Sequence, residues 1–141
     1  MRIPILILAL APAMQLRAQT RLPPVVQQGL DSLQLGRCQQ TIDLWIASWP
    51  EMQKAQMAPT CSALQQYAGE YRGYEVLKTI DITPHLSRVY LVLLYSIQPV
   101  YLLLVLYRPG DTEWRVNTLN WNTDPDKVVP ASIMPPQHPG P

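Results

Sequence analysis

The sequence predicts an α+β fold, with helices first and an antiparallel sheet after them. Three observations carry that expectation. Between Leu22 and Gly69 apolar residues recur at three- and four-residue spacing, the period of a helix with one buried side. From Tyr74 onward the period falls to two, and Val, Ile and Tyr accumulate as they do in strands. At the centre of this second part, Arg88–Arg108 reads RVYLVLLYSIQPVYLLLVLYR, with no charge between its two arginines.

The chain opens on Arg2 and the apolar run IPILILALAPAM. This is too short to span a bilayer as a helix and has the charged start and short core of a secretory leader. Cleavage fits after Ala13 or Ala18, and Ala18 leaves the better core, so residues 1–18 are assigned to a leader and 19–129 to the domain. Of the 141 residues, about 120 then remain, enough for one domain with one modest core.

Helices come first. Pro23 and Pro24 suit a first turn, where a missing N–H would be unpaired anyway. Val26, Leu30 and Leu33 follow on one side, and Gly36 is a left-handed stop. A second helix carries Cys38, Ile42, Trp45 and Trp49 as its stripe and ends at or near Trp49, because Pro50 cannot continue it. Glu51–Gly69 is helical in composition, and Pro59 divides it into a short piece and a longer one holding Leu64 and Tyr67.

Strands follow. Tyr74–Ile82 is the first, and Thr83-Pro84-His85 its turn. The uncharged run of about 19 residues could in length span a bilayer. Ser96-Ile97-Gln98-Pro99 breaks it at the midpoint, however, and tyrosines prefer the membrane interface to its centre. It is therefore a hairpin of Arg88–Tyr95 and Val100–Arg108. Its alternate residues, Leu91 and Leu93 against Tyr90 and Val92, or Leu102 and Leu104 against Tyr101 and Leu103, are apolar on both faces. Each face needs cover: helices on one, and a partner subunit, a ligand or more sheet on the other. Pro109-Gly110-Asp111 makes the next turn, and Glu113–Trp121 the last strand. There Trp114, Val116 and Thr118 alternate before Leu119 and Trp121 change face, the mark of a bulge. Residues 130–141 form a proline-rich tail for which no fixed fold is expected.

The two cysteines fall in the exported part, where thiols oxidise, so Cys38 and Cys61 are expected to pair rather than stay free. The bond would tie the second helix to the third helical segment across Pro50 and Pro59. A net charge of +1 with scattered basic residues gives no basis for binding nucleic acid. There is no Gly-rich phosphate loop, no nucleophile elbow, no His/Glu metal spacing and no C-x-x-C, so no cofactor or metal is expected. His85 in a turn and His138 in the tail are expected to be solvated.

Leu30-Asp31-Ser32-Leu33 before Gly36, Ile42-Asp43-Leu44-Trp45, Gly73-Tyr74 opening the sheet and Trp114-Arg115-Val116 in the last strand form a pattern over Leu22–Val129. It resembles the nuclear transport factor 2-like superfamily, in particular its small secreted bacterial members. That resemblance implies helices packed on a curved four-stranded antiparallel sheet in a cone, a hollow used as a pocket, and dimers formed through the outer sheet face. With the leader and the lack of a catalytic constellation, the expectation is a non-catalytic periplasmic or secreted module for self-association or for binding an envelope protein, with no transmembrane span after leader removal. The alternative is a carrier of a small apolar ligand lined by Trp45, Tyr90, Tyr101 and Trp114, although aromatics at these spacings are more often core. A third reading, an isomerase- or hydrolase-like enzyme, would use Asp43, which requires an apolar setting and a hydrogen-bonding partner.

Overall fold

A computed structural model describes residues 21–134. The assigned leader and His138 lie outside the described residues. The chain runs through α1 (Pro24–Gln34), α2 (Cys38–Trp45), α3 (Glu51–Gln56) and α4 (Thr60–Ala68). It then forms β1 (Tyr71–Thr83), β2 (Leu86–Tyr95), β3 (Val100–Tyr107) and β4 (Arg115–Asn122). A 3-10 turn, Pro125–Lys127, follows. Helices precede strands, the α+β order that the change of period predicts.

In α1 the predicted stripe of Val26, Leu30 and Leu33 is buried. Gly36 ends the helix at φ +74°. Its N–H donates to Leu33 O at 3.0 Å, and the Arg37 N–H reaches back to Ser32 O at 3.0 Å. Only a residue without Cβ adopts that turn at no steric cost. α1 meets α2 at Gly29, where a Cβ would fall inside the Trp45 indole. Thr41 Oγ1 donates to Gly29 O at 2.7 Å and Trp45 Nε1 to Val25 O at 3.1 Å, so the close approach leaves both buried polar groups bonded.

α2 stops at Trp45, four residues short of the predicted end. Trp49 leaves the helical stripe and donates its Nε1 to Val116 O at 2.8 Å, beside the bulge in β4. Pro59 divides α3 from α4 as expected. Leu64 and Ala68, four apart, form the buried side of α4, whereas Tyr67 is 60 % exposed on the other side. Cys38 and Cys61 form the expected disulfide, with Cα atoms 5.9 Å apart.

The strands form one antiparallel sheet in the order β1-β2-β3-β4. The uncharged run is its central hairpin, with Leu91 opposite Leu102 and Val89 opposite Leu104. No described helix is long and apolar enough to cross a membrane. The polar break becomes the hairpin turn and docks on the end of α4. The Ile97 N–H donates to Ala68 O at 2.9 Å, and Gln98 Nε2 donates to Tyr67 O at 2.7 Å. The predicted bulge falls at Asn117: Thr118 pairs with Val105 and Val116 with Leu106. The extra residue returns Trp114, Val116, Leu119 and Trp121 to the helix-covered side, where all four join the main core.

The helices cover the Leu91–Leu102 face, an assignment that alternation alone leaves open. The opposite face is covered in part by the chain itself. Beyond β4 the backbone turns over the sheet, and Val128 and Val129 bury against Tyr90. Leu77, Ile80, Tyr101 and Leu103 pack around them. Ile133 and Met134 extend the contact, in a turn where their N–H groups donate to Pro130 O at 2.9 and 3.1 Å. The expected boundary at residue 129 thus falls inside a packed segment. The apolar outer face gives Val128, Val129, Ile133 and Met134 a place to bury, and proline content does not prevent a turn that needs few backbone donors.

Replacing both cysteines by serine is expected to lower the unfolding free energy by about 3 kcal/mol, because the bond closes a loop of intermediate length. Denaturant titration measures it. In the same assay Val128→Ala with Val129→Ala removes four buried methyl groups and lowers stability by about 3 kcal/mol, with new binding of an apolar dye. Unchanged stability would mean that this segment does not cover the sheet.

Candidate ligand site

Two tyrosines and the disulfide meet where α1 ends. Tyr71, the first residue of β1, pairs directly with Tyr95, the last of β2. One extra residue, Arg72, follows Tyr71 in β1 before the register resumes at Gly73. That bulge lets both Tyr71 and Tyr74 face the helices. The Tyr71 and Tyr95 rings lie edge to face, with centroids 5.6 Å apart and planes at 72°, the arrangement that ring quadrupoles favour. The hairpin turn holds them in place. The Ser96 N–H donates to Glu70 O at 2.8 Å, and Ser96 Oγ accepts from the Glu70 N–H at 2.9 Å.

These rings border a cavity of about 460 Å³. Leu33 and Gly36 bound it at the end of α1, Leu64 and Gln65 on α4, and Cys38 and Cys61 at the disulfide. Its walls therefore come from helix ends whose mutual placement Cys38–Cys61 fixes. Tyr71 brings a hydroxyl that is buried and has no hydrogen-bond partner among the described residues. Tyr74, one step along, is contacted at its hydroxyl by Gln27 Nε2 at 3.4 Å. Burial first, and then the neighbouring phenols of Tyr95 and Tyr74, push the Tyr71 hydroxyl up to about 12. Burial alone raises Tyr95 to about 12. Both phenols stay neutral at any physiological pH. They are hydrogen-bonding groups in a wall that sets Leu33 and Leu64 beside Gln34, Ser62, Gln65 and Glu70, and neither is a base.

The four aromatic residues expected to line a pocket do not form one. Trp45 is buried in the main core, and it and Trp114 share a depression of about 270 Å³ beside the start of β4. Tyr90 and Tyr101 lie across the sheet, under the C-terminal segment. The physical reason is the strand period: Tyr90 and Tyr101 alternate with Leu91 and Leu102, and the helices cover the leucines. Asp43 is exposed on α2 and accepts a hydrogen bond from Gln39 Nε2 at 3.0 Å. It lacks the apolar setting that acid–base work requires. His85 is exposed as expected, with Nδ1 3.0 Å from Arg108 O.

Tyr71 and Tyr95 carry the site instead. Tyr95 was legible in part, since it alternates with Leu91 and Leu93 on one face. Tyr71 was not, because Gly73 read as the entrance to the sheet. Comparison of this chain with protein-family models, with curated proteins and with solved structures returned no match.

The raised phenol values give a pH signature. The folded state holds its protons from pH 10 up to about 12, where the unfolded chain has released them. The stability contributed by the two neutral phenols is thus complete below pH 10 and is lost as pH rises toward 12. Ultraviolet titration of the native protein should show a step near pH 12, reduced by one tyrosine each in Tyr71→Phe and Tyr95→Phe.

Proposed function

We propose that this chain is an exported, non-catalytic binding module that carries a small ligand of mixed polar and apolar character in the cavity beside the disulfide. The Tyr71 hydroxyl carries this reading. A buried donor without a partner costs about 1–3 kcal/mol, and Tyr71, the residue that bears it, lines a half-open cavity whose size is ordinary for small-molecule sites. A ligand with hydrogen-bonding groups and an apolar part would match Gln34, Ser62, Gln65 and Glu70 beside Leu33, Leu64 and the two tyrosine rings. The disulfide supports export, because such bonds persist in oxidising compartments. A periplasmic or secreted location agrees with the leader assigned to residues 1–18. The nuclear transport factor 2-like resemblance remains part of the proposal, since the hollow it implies lies between helices and sheet, as this cavity does. A non-catalytic role is favoured by the solvated Asp43.

Self-association across the outer sheet face is a second reading. The centre of that face is occupied by Val128 and Val129, but Val105 and Tyr107, the latter 46 % exposed, extend the apolar strip beyond them. An envelope-protein partner would use the same strip.

Native mass spectrometry of protein exported with its own leader and purified without reduction separates the two. A carrier shows a discrete non-covalent adduct, and a self-associating module a bare dimer. In solution, N-phenyl-1-naphthylamine should bind saturably at one site. Ser62→Trp, placed on the exposed rim of the cavity, should weaken that binding at least tenfold with the fold intact. Tyr71→Phe, by removing the unpaired hydroxyl, should raise the stability of the ligand-free protein by about 1 kcal/mol. Probe binding that Ser62→Trp leaves unchanged would overturn the carrier reading.

A further inference from the structure

We propose that the end of the molecule holding the disulfide cavity docks on a lipid surface, from which the protein takes its ligand. This rests on the carrier reading and adds the place where loading occurs. Leu35, Tyr67 and Ile97 are 68, 60 and 69 % exposed, and all three lie at that end. Leu35 stands between Gln34 and Gly36, both in the cavity wall at the end of α1. Ile97 stands at another wall, against Gly69, where an added Cβ would fall 3.0 Å from its Cγ1. Tyr67 is tied to the same hairpin turn, since its carbonyl oxygen accepts from Gln98 Nε2 at 2.7 Å.

The fold uses Leu35 and Ile97 through their backbones. The Leu35 N–H donates to Asp31 O at 3.3 Å and to Ser32 O at 3.2 Å, closing α1. The Ile97 N–H donates to Ala68 O at 2.9 Å, holding the turn on α4. A polar residue at either position would keep these bonds and spare water two aliphatic side chains. Their exposure beside a cavity therefore points to an apolar surface outside the molecule.

The form of the patch selects lipid over protein. Three separate side chains beside an opening make no continuous face, whereas a stable protein interface buries on the order of 1,000 Å² or more in close fit. Acyl chains are fluid and close around isolated side chains, and a tyrosine sits well at headgroup level. Charge agrees. In residues 34–38, 61–72 and 95–99, which frame the cavity, the charged side chains are Arg37, Glu70 and Arg72. Glu70 is paired with Arg72 at 3.3 Å, so Arg37 adds a positive charge that favours anionic headgroups. A ligand of mixed polar and apolar character gathers at such a surface, where the half-open cavity would meet it.

The test is flotation of the full mature protein, with its disulfide intact, on vesicles of phosphatidylcholine and phosphatidylglycerol in equal parts. The protein should float with the vesicles. Leu35→Glu and Ile97→Glu should each lower the bound fraction at least about fivefold, and together remove it. Near-ultraviolet circular dichroism checks that both exposed positions accept the change. Met52→Glu alters an equally exposed apolar residue, 79 % accessible but on α3, and should float like the parent. Absence of flotation, flotation that Leu35→Glu and Ile97→Glu leave unchanged, or an equal loss with Met52→Glu would each overturn the proposal. So would a bare dimer that Leu35→Glu splits, which would assign the patch to a second copy. Flotation is read without any added probe. A failed naphthylamine titration therefore removes the carrier reading, whereas failed flotation removes only the docking.

Discussion

Tyr90 and Leu91 are neighbours in β2, point to opposite faces of the sheet, and are 2 % and 0 % exposed. A strand dry on both sides needs material on both, and the rest of the chain supplies it. The helices deliver Val26, Leu30, Leu33, Trp45 and Leu64 to one face. The segment after β4 delivers Val128 and Val129 to the other. A fully buried aliphatic side chain contributes roughly 1.5–3 kcal/mol, so this two-sided burial outweighs any single hydrogen bond in the molecule. Even the sheet's irregularities serve it. The bulge at Asn117 turns Leu119 and Trp121 back to the helix side, and its neighbouring carbonyl is bonded by Trp49.

The places where cover ends are where chemistry is left. α1 lies along β1 and leaves a cavity at each end, one beside Cys38–Cys61 and Tyr71, the other beside Arg108 and Thr79. All three unpartnered buried polar atoms of the described residues belong to residues bordering these two cavities. Native structures rarely leave such atoms unmet. The two ends differ in kind: Tyr71 and Tyr95 bring neutral phenols to one, and Arg21, Arg108 and Asp81 bring charged groups to the other.

Much of this architecture was legible because it depends on period and on chain-breaking residues. The change from a period of three and four to a period of two marked helices from strands. Pro59 divided α3 from α4, and Ser96–Pro99 split the uncharged run into two strands. The switch of face near Leu119 announced a bulge at its actual place. What could not be read had non-local causes. Trp49 leaves its helix for a carbonyl 67 residues away. Tyr67, at a helical spacing from Leu64, is 60 % exposed because the sheet meets the other side of α4. The expected aromatic pocket of Trp45, Tyr90, Tyr101 and Trp114 dissolved for the same reason, since alternation places Tyr90 and Tyr101 on a shared face and says nothing of what lies above it.

The sequence by itself determined the order of elements, the hairpin, both faces of each central strand and the residues available for a disulfide. Each of these follows from local sterics, from side-chain period or, for the cysteines, from composition. Tertiary structure alone decided which face the helices took, that the C-terminal segment would close the other, and which hydroxyls and guanidinium would be buried without partners. Those outcomes depend on the docking of segments far apart in the chain, and two faces equally apolar in sequence carry no instruction about which one a helix will choose.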